Sequence, residues 1–436
     1  MHTFTQLAAL AALATTITSA HPVKRDDGDV RCGENIPNEY IVAIKDIYTR
    51  DLGHRSHLES FNDIPGVMEP HRKIHIGSWH GLSGWFDDEA LAWVSQQPFV
   101  ESISNNTLMC TTEVVRQEHA PWGLTAISHD DRLSDDYIYD NLGGFGSGFG
   151  TAVFHLDTGL RDTHNDFAKD ETSTKALEQR SGVDSGPTFV EGEGDDMDHN
   201  GHGTHAAGTI IGNKFGVAKA ADFVSIKVGD RYGTAPLDRV LQGFEYAVQT
   251  IEMNSLYSEA VISIGLSGSR NIVWDRVIQE AHDMGILTIV AAGNDGGDAA
   301  AHSPASSPHA LTVGAVSKPN ITDSGALIFE MSSFSNTGSV VDIFAPGNDI
   351  ESASHYGNDE SVLKSGTSMA ANHVTGLVLY LKSLYPDETK TPEDTKGKLL
   401  DMAMSDAIRD PDQRLNGANN KVAFNGCKDE KPGAKL

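Results

Sequence analysis

The sequence has only three cysteines in 436 residues, at Cys32, Cys110 and Cys427. Proteins held together by disulfides carry a much higher share of cysteine in a shorter chain, so this is not a disulfide scaffold. The odd count also leaves at least one thiol unpaired. Stability must therefore come from an ordinary hydrophobic core, for which a chain with 39% hydrophobic residues has ample material.

The chain also lacks a long apolar run and an excess of basic charge. No stretch approaches the roughly 18 apolar residues that a membrane span needs. The 33 lysines and arginines are outnumbered by 61 aspartates and glutamates, and the formal net charge is −28. Such a charge repels phosphate backbones, so we expect neither a membrane span nor a nucleic-acid partner. The composition indicates a soluble globular protein of two or three domains.

The first twenty residues are typical of a secretory signal. An apolar stretch at 7–17 is followed by small residues that suit signal cleavage, although the first six residues lack lysine and arginine. A buried N-terminal helix is the alternative. We predict cleavage after Ala20 and a secreted, extracellular protein. The sequons at Asn105 and Asn320 would be open to glycosylation on that route.

Residues 39–106 are predicted to form a small α+β unit of their own. Its strand, helix and closing strand are predicted at 40–44, 86–94 and 100–104. Asp87 is the expected N-cap of the helix, and Pro98 follows its end. Fewer than about 80 residues give marginal stability alone, so we expect the unit to dock on the rest of the chain. Residues 107–119 are polar and aperiodic, which predicts an exposed linker open to proteolysis.

The pattern beyond this linker is an alternation of apolar strands and helices. The strands are predicted at 152–156, 223–228, 260–264, 286–291, 310–316 and 340–344, and the helices at 237–250, 271–284 and 367–385. This alternation predicts an α/β fold in which a doubly wound parallel sheet carries helices on both faces. Ligand sites in such sheets lie at the carboxyl ends of the strands, and we expect the chemistry there.

Three polar residues lie where such a site is expected, and each has an ordinary alternative. Asp157 follows an apolar strand and precedes Thr-Gly, but it could simply cap a turn. Asn294 ends another strand, where its amide could donate to an oxyanion or only form a turn. Ser368 begins an apolar helix, where the helix field favours a nucleophilic oxygen, but plain N-capping is the commoner role.

His202 lies in a segment of small residues that lets a helix begin close to other backbone. Zinc binding is an alternative, because His199, His202 and His205 recur every three residues. We discount it because Gly201 and Gly203 break the rigid helical face that a histidine pair needs, and no His-Glu-x-x-His motif is present.

Taken together, the four motifs resemble those of the subtilisin family of serine proteases. In chain order they are Asp-Thr-Gly, His-Gly-Thr-His, Ala-Ala-Gly-Asn and Gly-Thr-Ser-Met-Ala, containing Asp157, His202, Asn294 and Ser368. The segments 120–124 and 332–336 are similar to those of its secreted fungal, proteinase K-like branch. The resemblance runs from about Ala120 to about Asp410, and the 39–106 unit resembles the inhibitor I9-type propeptide of these enzymes.

The resemblance implies a domain plan. Residues 1–20 would be the signal peptide, 21–114 the propeptide with a ferredoxin-like α+β unit, and 115–436 the subtilisin-like catalytic domain. The propeptide would act as an intramolecular inhibitor until autocatalytic cleavage near 111–116. Cys427 would then be the one cysteine of the mature enzyme.

The resemblance also implies a serine endopeptidase acting on protein and peptide substrates. His202 would take the proton from Ser368, while Asp157 orients the imidazole and stabilises its charged form. Asn294 and the Ser368 N–H would hold the oxyanion. No cofactor is required by this chemistry, and a monomer is expected. Asn372 stands where the family has proline; an inactive peptide-binding protein is therefore the alternative function.

Substrate and metal residues follow from the same resemblance. Two segments would border the substrate: Gly265, Leu266, Ser267 and Gly268 on one side, and Tyr232, Gly233 and Thr234 on the other. They lack charge, so a broad apolar or aromatic preference at P1 is expected, with Ser267 narrowing the pocket mouth where the family has glycine. Asp342, with the carbonyls of Pro308 and Ala310, would hold a structural calcium ion; a capping aspartate is the alternative.

The stretch 191–198 carries five carboxylates just before His202. They are Glu191, Glu193, Asp195, Asp196 and Asp198. We expect a solvated acidic loop there. A selector for basic residues near the scissile bond is the alternative.

Overall fold

The computed structural model describes residues 35–45, 67–107, 112–130, 132–142, 147–168, 183–193, 195–322, 327–410 and 413–427. The predicted signal peptide, its cleavage site, Cys32 and Cys110 lie outside these ranges. The chain divides into two compact units, Met1–Cys110 and Thr111–Leu436. No helix within the described ranges is both long and apolar enough to cross a membrane.

The first unit is a four-stranded antiparallel sheet with one described helix. Its elements are β1 (Asn35–Ile44), β2 (Val67–Ile76), β3 (Trp79–Phe86), α1 (Asp88–Ser95) and β4 (Val100–Thr107). The strand order is β2-β3-β1-β4, which agrees with the expected ferredoxin-like α+β unit. Asp87 caps α1 as predicted, since its Oδ1 accepts the Ala90 N–H at 2.8 Å. A small core of Val42, Ile44, Leu82, Phe86, Ala90 and Val94 lies between sheet and helix.

The second unit is built on a nine-stranded sheet. Its strands are β7 (Ala152–Asp157), β8 (Val183–Thr188), β9 (Asp222–Lys227), β10 (Ala260–Ile264), β12 (Leu287–Ala291), β14 (Ala310–Val316), β17 (Ile343–Pro346), β20 (Met404–Ser405) and β22 (Lys421–Val422). The order is β20-β22-β17-β14-β12-β10-β7-β9-β8, and every pair is parallel except β20 with β22. The predicted parallel sheet is confirmed.

Helices cover both faces of this sheet. They are α2 (Trp122–Ala126), α3 (His202–Ile211), α4 (Leu237–Met253), α5 (Ile272–Asp283), α6 (Thr367–Leu384) and α7 (Pro392–Met402). Alternate residues of β7 face opposite cores: Val153 packs with α3 and α6, whereas Phe154 packs with α4 and α5. The doubly wound α/β architecture follows from this alternation.

Short strands and ribbons complete the unit. They are β5 (Thr112–Gln117), β6 (Tyr137–Leu142), β11 (Gly268–Ser269), β13 (His302–Ser303), β15 (Asn320–Ile321), β16 (Leu327–Glu330), β18 (Ile350–Ala353), β19 (Ser361–Lys364) and β21 (Ile408–Arg409). The β5–β6 ribbon shows that the linker prediction for 107–119 is wrong at 112–117. The paired residues of β5 and β6 lie 20 to 30 positions apart in the chain, where a local pattern cannot show the pairing.

One predicted strand is shifted along the sequence. We expected 340–344, but β17 is Ile343–Pro346. The reason is that Val341 N–H closes a turn onto Gly338 O at 2.9 Å, so the apolar residues before Ile343 belong to that turn.

Candidate active site

Asp157 and His202 form one hydrogen-bonded pair at the carboxyl edge of the sheet. Asp157 is the last residue of β7 and only 1% exposed. Its Oδ1 accepts the Thr158 N–H at 2.7 Å, and His202 Nδ1 lies 2.8 Å from both carboxylate oxygens. Because a carboxylate accepts, Nδ1 carries a proton, and Nε2 remains available to take one.

The surroundings of Asp157 and His202 shift the pKa values of both side chains. Burial raises the pKa of Asp157, but the charge of His202 and hydrogen bonds from His155 and His202 more than offset this, so its pKa lies well below the ordinary value. Burial lowers the pKa of His202, yet attraction to Asp157 and their hydrogen bond raise it above the ordinary value. Asp157 is therefore ionised wherever His202 titrates.

Two glycines allow this close approach. A Cβ at Gly203 would lie 2.2 Å from Gly159 O, so the start of α3 contacts other backbone, as its small residues indicate. A Cβ at Gly265 would lie 1.8 Å from Asp157 Oδ2. Any larger side chain at either position would displace the Asp157–His202 pair.

Asp198 organises the turn that leads into α3. Its buried carboxylate accepts the Gly201 N–H at 2.7 Å and the Thr204 N–H at 2.8 Å, together with the Thr204 hydroxyl at 2.7 Å. A carboxylate in this position satisfies free N–H groups of the helix start and favours its positive end. Asp198 thereby fixes where His202 begins the helix.

The three histidines of this segment have separate partners. His199 Nε2 lies 2.9 Å from Asp195 Oδ1, and His205 Nε2 lies 2.9 Å from Ile350 O. His202 faces Asp157 instead. Within the described residues no group of three or more potential ligands surrounds a metal position.

Ser368 is the second residue of α6, and the N-cap is Gly366. Plain capping therefore does not describe Ser368. Its N–H is among the first of the helix, which have no intrahelical acceptor. In the described part of the chain, Ser368 makes no hydrogen bond to another side chain, His202 included. The helices that carry the two residues pack against each other in one core.

Asn294 lies directly beside the Ser368 segment. Its Oδ1 accepts the Thr367 N–H at 2.8 Å and the Thr367 hydroxyl at 2.9 Å, while Thr367 Oγ1 also accepts the Gly293 N–H at 3.1 Å. With Oδ1 used as acceptor, Nδ2 is a donor that points away from Thr367. No hydrogen bond within the described residues uses Nδ2. The Asn294 amide donor and the Ser368 N–H thus come from two adjacent segments that Thr367 joins.

The two expected substrate segments border one cavity of about 350 Å³. The walls are Gly233, Thr234, Ala235, Leu237, Val240, Leu266, Ser267, Gly268, Ser269, Asn271, Trp274 and Ser303. Tyr232 stands outside it and is 80% exposed. Gly265 forms no part of the wall, since it lies against Asp157. The cavity is mostly uncharged, which suits an apolar side chain.

The backbone of the two segments differs in what it can offer a peptide. The N–H groups of Tyr232 and Thr234 are bound to Asp230 Oδ1, both at 3.0 Å, and the Gly233 N–H to Asp230 O at 2.8 Å. On the other side, Gly268 already pairs with Ser303. A peptide strand can therefore find only carbonyl acceptors on the 232–234 side.

The acidic insertion is largely paired inside the chain. Glu193 binds the fully buried Lys227 at 2.9 Å and also the Arg231 N–H at 2.9 Å. Asp195 lies 3.8 Å from Lys227, and Asp198 supports α3. The expectation of a solvated loop is wrong for Glu193 and Asp198, whereas the Asp195 side chain is 41% exposed. A selector role for basic substrates would be left to the other three.

The Asp342 carboxylate does not fit the calcium expectation. Its Oδ1 lies 2.7 Å from the Lys396 ammonium, and its Oδ2 accepts the Thr312 N–H at 3.0 Å. Of the expected carbonyl donors, Ala310 begins the buried strand β14 and Pro308 is exposed before it. A divalent cation on this carboxylate would be repelled by the ammonium, so Lys396 supplies the positive charge instead.

We therefore predict that a chelator leaves stability unchanged. Thermal unfolding in EDTA and in millimolar calcium should give the same midpoint. Lys396→Ala should cost roughly 1–3 kcal/mol, because the mostly buried Asp342 loses a charged hydrogen-bond partner. Lys390→Ala, which removes an exposed pair with Asp387, is the matched control with a much smaller loss. A fall of several degrees in EDTA would contradict this.

Asn372 lies in the body of α6 and is 2% exposed. Its Nδ2 is buried and has no hydrogen-bond partner among the described residues. α6 runs without interruption from Thr367 through Asn372, so asparagine in place of the family's proline leaves the helix intact. The cost of Asn372 is thus an unpaired buried amide.

Removing this amide should stabilise the protein. Asn372→Ala is expected to raise the free energy of unfolding by about 1 kcal/mol, since alanine also favours the helix. Asn336→Ala is the matched control: Asn336 is equally buried, but its Oδ1 accepts the Asp295 and Gly297 N–H groups at 3.1 and 2.9 Å. Chemical denaturation should show opposite signs for the two; a loss in both would contradict the account of Asn372.

Sequence reasoning missed three residues of this site. His155 resembled a core residue within an apolar strand, and nothing in its spacing indicates a contact with Asp157. Asp198 was one of five clustered carboxylates, and Thr367 was only a neighbour of Ser368. Only Asp198 had a usable signal in the sequence, because a carboxylate shortly before a helix often caps that helix.

Comparison with known proteins agrees with this geometry. The family model described as Peptidase_S8, Subtilase family, matches residues 148–426. The chain is 34% identical to the alkaline proteinase of Hapsidospora chrysogena, covering 90% of this chain and 93% of that one. It is 33% identical to alkaline protease 1 of Aspergillus clavatus, with 96% of each covered. It is also 33% identical to subtilisin-like protease 1 of Pseudogymnoascus destructans, covering 96% and 98%.

A solved structure gives the same result. The crystal structure of a cold adapted subtilisin-like serine proteinase superposes with a TM-score of 0.57 at 32% identity, covering 71% of this chain and all of that one. The resemblance seen in four short motifs therefore extends over the fold and most of the length. This chain belongs to the subtilase family and is a serine-type endopeptidase.

Proposed function

We propose that the protein is a secreted endopeptidase whose nucleophile is Ser368, with His202 as its base and Asp157 as the orienting carboxylate. The observation that carries the proposal is the Asp157–His202 pair, in which Nδ1 is held 2.8 Å from both oxygens. This bond fixes the tautomer that presents Nε2 as a base. A purely structural contact would not need an ionised, buried aspartate behind a histidine that is partly exposed to solvent.

The reaction would follow acyl transfer to water. His202 Nε2 takes the proton from Ser368 Oγ as the oxygen attacks a peptide carbonyl, and the protonated ring then gives that proton to the leaving amine. Asn294 Nδ2 and the Ser368 N–H stabilise the oxyanion in both tetrahedral intermediates. Water, deprotonated by His202, then hydrolyses the ester. These steps need no metal or organic cofactor.

A sulfonyl fluoride probe tests the nucleophile. Ser368 Oγ should displace fluoride and form one sulfonyl ester, with the proton passing to His202. Peptide mapping by mass spectrometry should place the label on Ser368 and nowhere on the exposed Ser365. Label on another serine, or none with peptide hydrolysis intact, would overturn the assignment.

The uncharged cavity supports a broad preference for apolar or aromatic side chains of an extended peptide. We predict that peptides with Phe at P1 have a kcat/KM at least tenfold above those with Ala, since burial of the larger side chain contributes about 2 kcal/mol. Ser267→Gly is the matched variant, which should raise the Phe to Ala ratio further. A preference for Ala over Phe would show that the pocket is narrower than proposed.

Secretion and zymogen processing complete the proposal. The signal-like start and the separate first unit support a precursor whose propeptide occupies the cleft as an intramolecular inhibitor until autocatalysis near 111–116. The predicted boundary at 114/115 falls within β5, so β5 must leave β6 for cleavage there. The mature enzyme would act as a monomer with Asn320 exposed for glycosylation, whereas Asn105 is exposed on the propeptide of the precursor.

A further inference from the structure

A second histidine contacts the carboxylate of the candidate triad. His155 lies two residues before Asp157 in β7 and is 1% exposed. Its Nε2 is 3.0 Å from Asp157 Oδ2, the oxygen that also faces His202 Nδ1. Asp157 thus accepts from two imidazoles and one backbone N–H.

His155 faces Asp157 with one ring nitrogen only. Its Nδ1 is buried and has no hydrogen-bond partner among the described residues. The residues beside it on β9 and β10 are Ser225 and Ser263, and the Phe223 ring lies 5.6 Å away, so these neighbours are uncharged. Because a carboxylate only accepts, the Nε2 that faces Asp157 carries a proton and donates it to Oδ2.

We propose that His155 is a positioning residue of the reaction. Its Nε2–H holds Oδ2 of Asp157, the oxygen to which His202 Nδ1 also donates. The inference rests on the proposed triad. The Thr158 N–H holds the other oxygen, Oδ1, so removing His155 releases only Oδ2 of Asp157. What changes is how strongly Asp157 attracts the protonated form of His202.

Other charges face His202 and stay the same in the variants. They are Asp157 on β7, Asp198 and His205 on the α3 segment, and Lys364 on β19. Since none of these is altered, a change in His202 titration on replacing His155 is transmitted through Asp157. Without the His155 donor, the Asp157 carboxylate attracts His202 more strongly, so the protonated form of the His202 ring is favoured.

The test uses His155→Leu, which removes the donor, and His155→Gln, whose amide nitrogen reaches the position of Nε2. The acid limb of kcat/KM for a peptide substrate should move up by about half a pH unit in the Leu variant, with KM unchanged, and return in the Gln variant. A purely structural role would alter the melting temperature without moving the limb. An unshifted limb in His155→Leu, or a Gln variant that behaves like Leu, overturns the proposal.

A second measurement compares the same variants without needing enzyme activity or the folding of any single variant. In the Ser368→Ala background, NMR titration of the His202 ring should show the same order: Leu above Gln, and Gln equal to the parent. If His155→Leu does not fold, His155→Asn replaces it, because its amide is too short to reach Asp157. If wild type fails to cleave peptides, the triad proposal fails, whereas a cleaving enzyme with no shift rejects His155 alone.

Discussion

Ser368→Ala should abolish peptide hydrolysis, with a fall of roughly 10⁶-fold in kcat, the size of the loss known for the serine of subtilisin itself. The reason is that His202 and the oxyanion donors remain, but no oxygen is present to form the acyl-enzyme. KM should change little, because Ser368 contributes nothing to the walls of the cavity. Steady-state kinetics with a chromogenic peptide measures the effect.

The neighbouring Ser365 provides the control. It is exposed, and its Oγ accepts the Asp349 N–H at 2.8 Å. Ser365→Ala should keep nearly full activity. If Ser368→Ala retained more than about a thousandth of the wild-type kcat, an attack by Ser368 would no longer explain turnover, since binding and the oxyanion donors alone supply much less.

Asn294→Ala should lower kcat by about 10²–10³-fold, the range known for the oxyanion asparagine of subtilisin. The oxyanion exists only after attack, so the loss should fall on kcat and leave KM nearly unchanged. The geometry supports this assignment because Thr367 occupies Asn294 Oδ1 and leaves Nδ2 as the outward donor.

Asn294→Asp separates donation from positioning. Aspartate retains an oxygen for the two Thr367 hydrogen bonds but replaces the Nδ2 donor with a second acceptor. We expect a loss at least as large as that of the alanine variant, since the new charge repels the oxyanion. An active Asn294→Asp enzyme would show that Asn294 acts by holding Thr367 and the start of α6.

Long periodic segments were the predictable part of the fold. β10 and β14 have the predicted bounds, and α4, α5 and α6 differ from prediction by at most three residues at either end. β10 and β14 are buried along their whole length, so an apolar run of strand length identifies them. α4 and α5 bury one face each, so their helical period identifies them. The edge strands β8 and β20 carry no such pattern and were missed.

The site was predictable as motifs but not as contacts. The motifs placed Asp157 and His202 at strand and helix ends, where the structure has them paired. Partners that come from distant segments could not be derived: Lys396 reaches Asp342 from α7, and Lys227 reaches Glu193 from β9. The Lys227–Glu193 pair is buried and contradicts the solvated-loop expectation at Glu193. The Lys396–Asp342 pair is partly buried and does not fit the calcium expectation at Asp342.

The most direct measurement is the intact mass of the protein recovered from culture medium, for wild type and Ser368→Ala expressed side by side. The account predicts that wild type has the mass of a chain beginning near 111–116, while Ser368→Ala keeps the propeptide. Two chains of equal mass would contradict autocatalysis by Ser368: both short would assign the cleavage to another protease, and both long would indicate an enzyme that does not process itself.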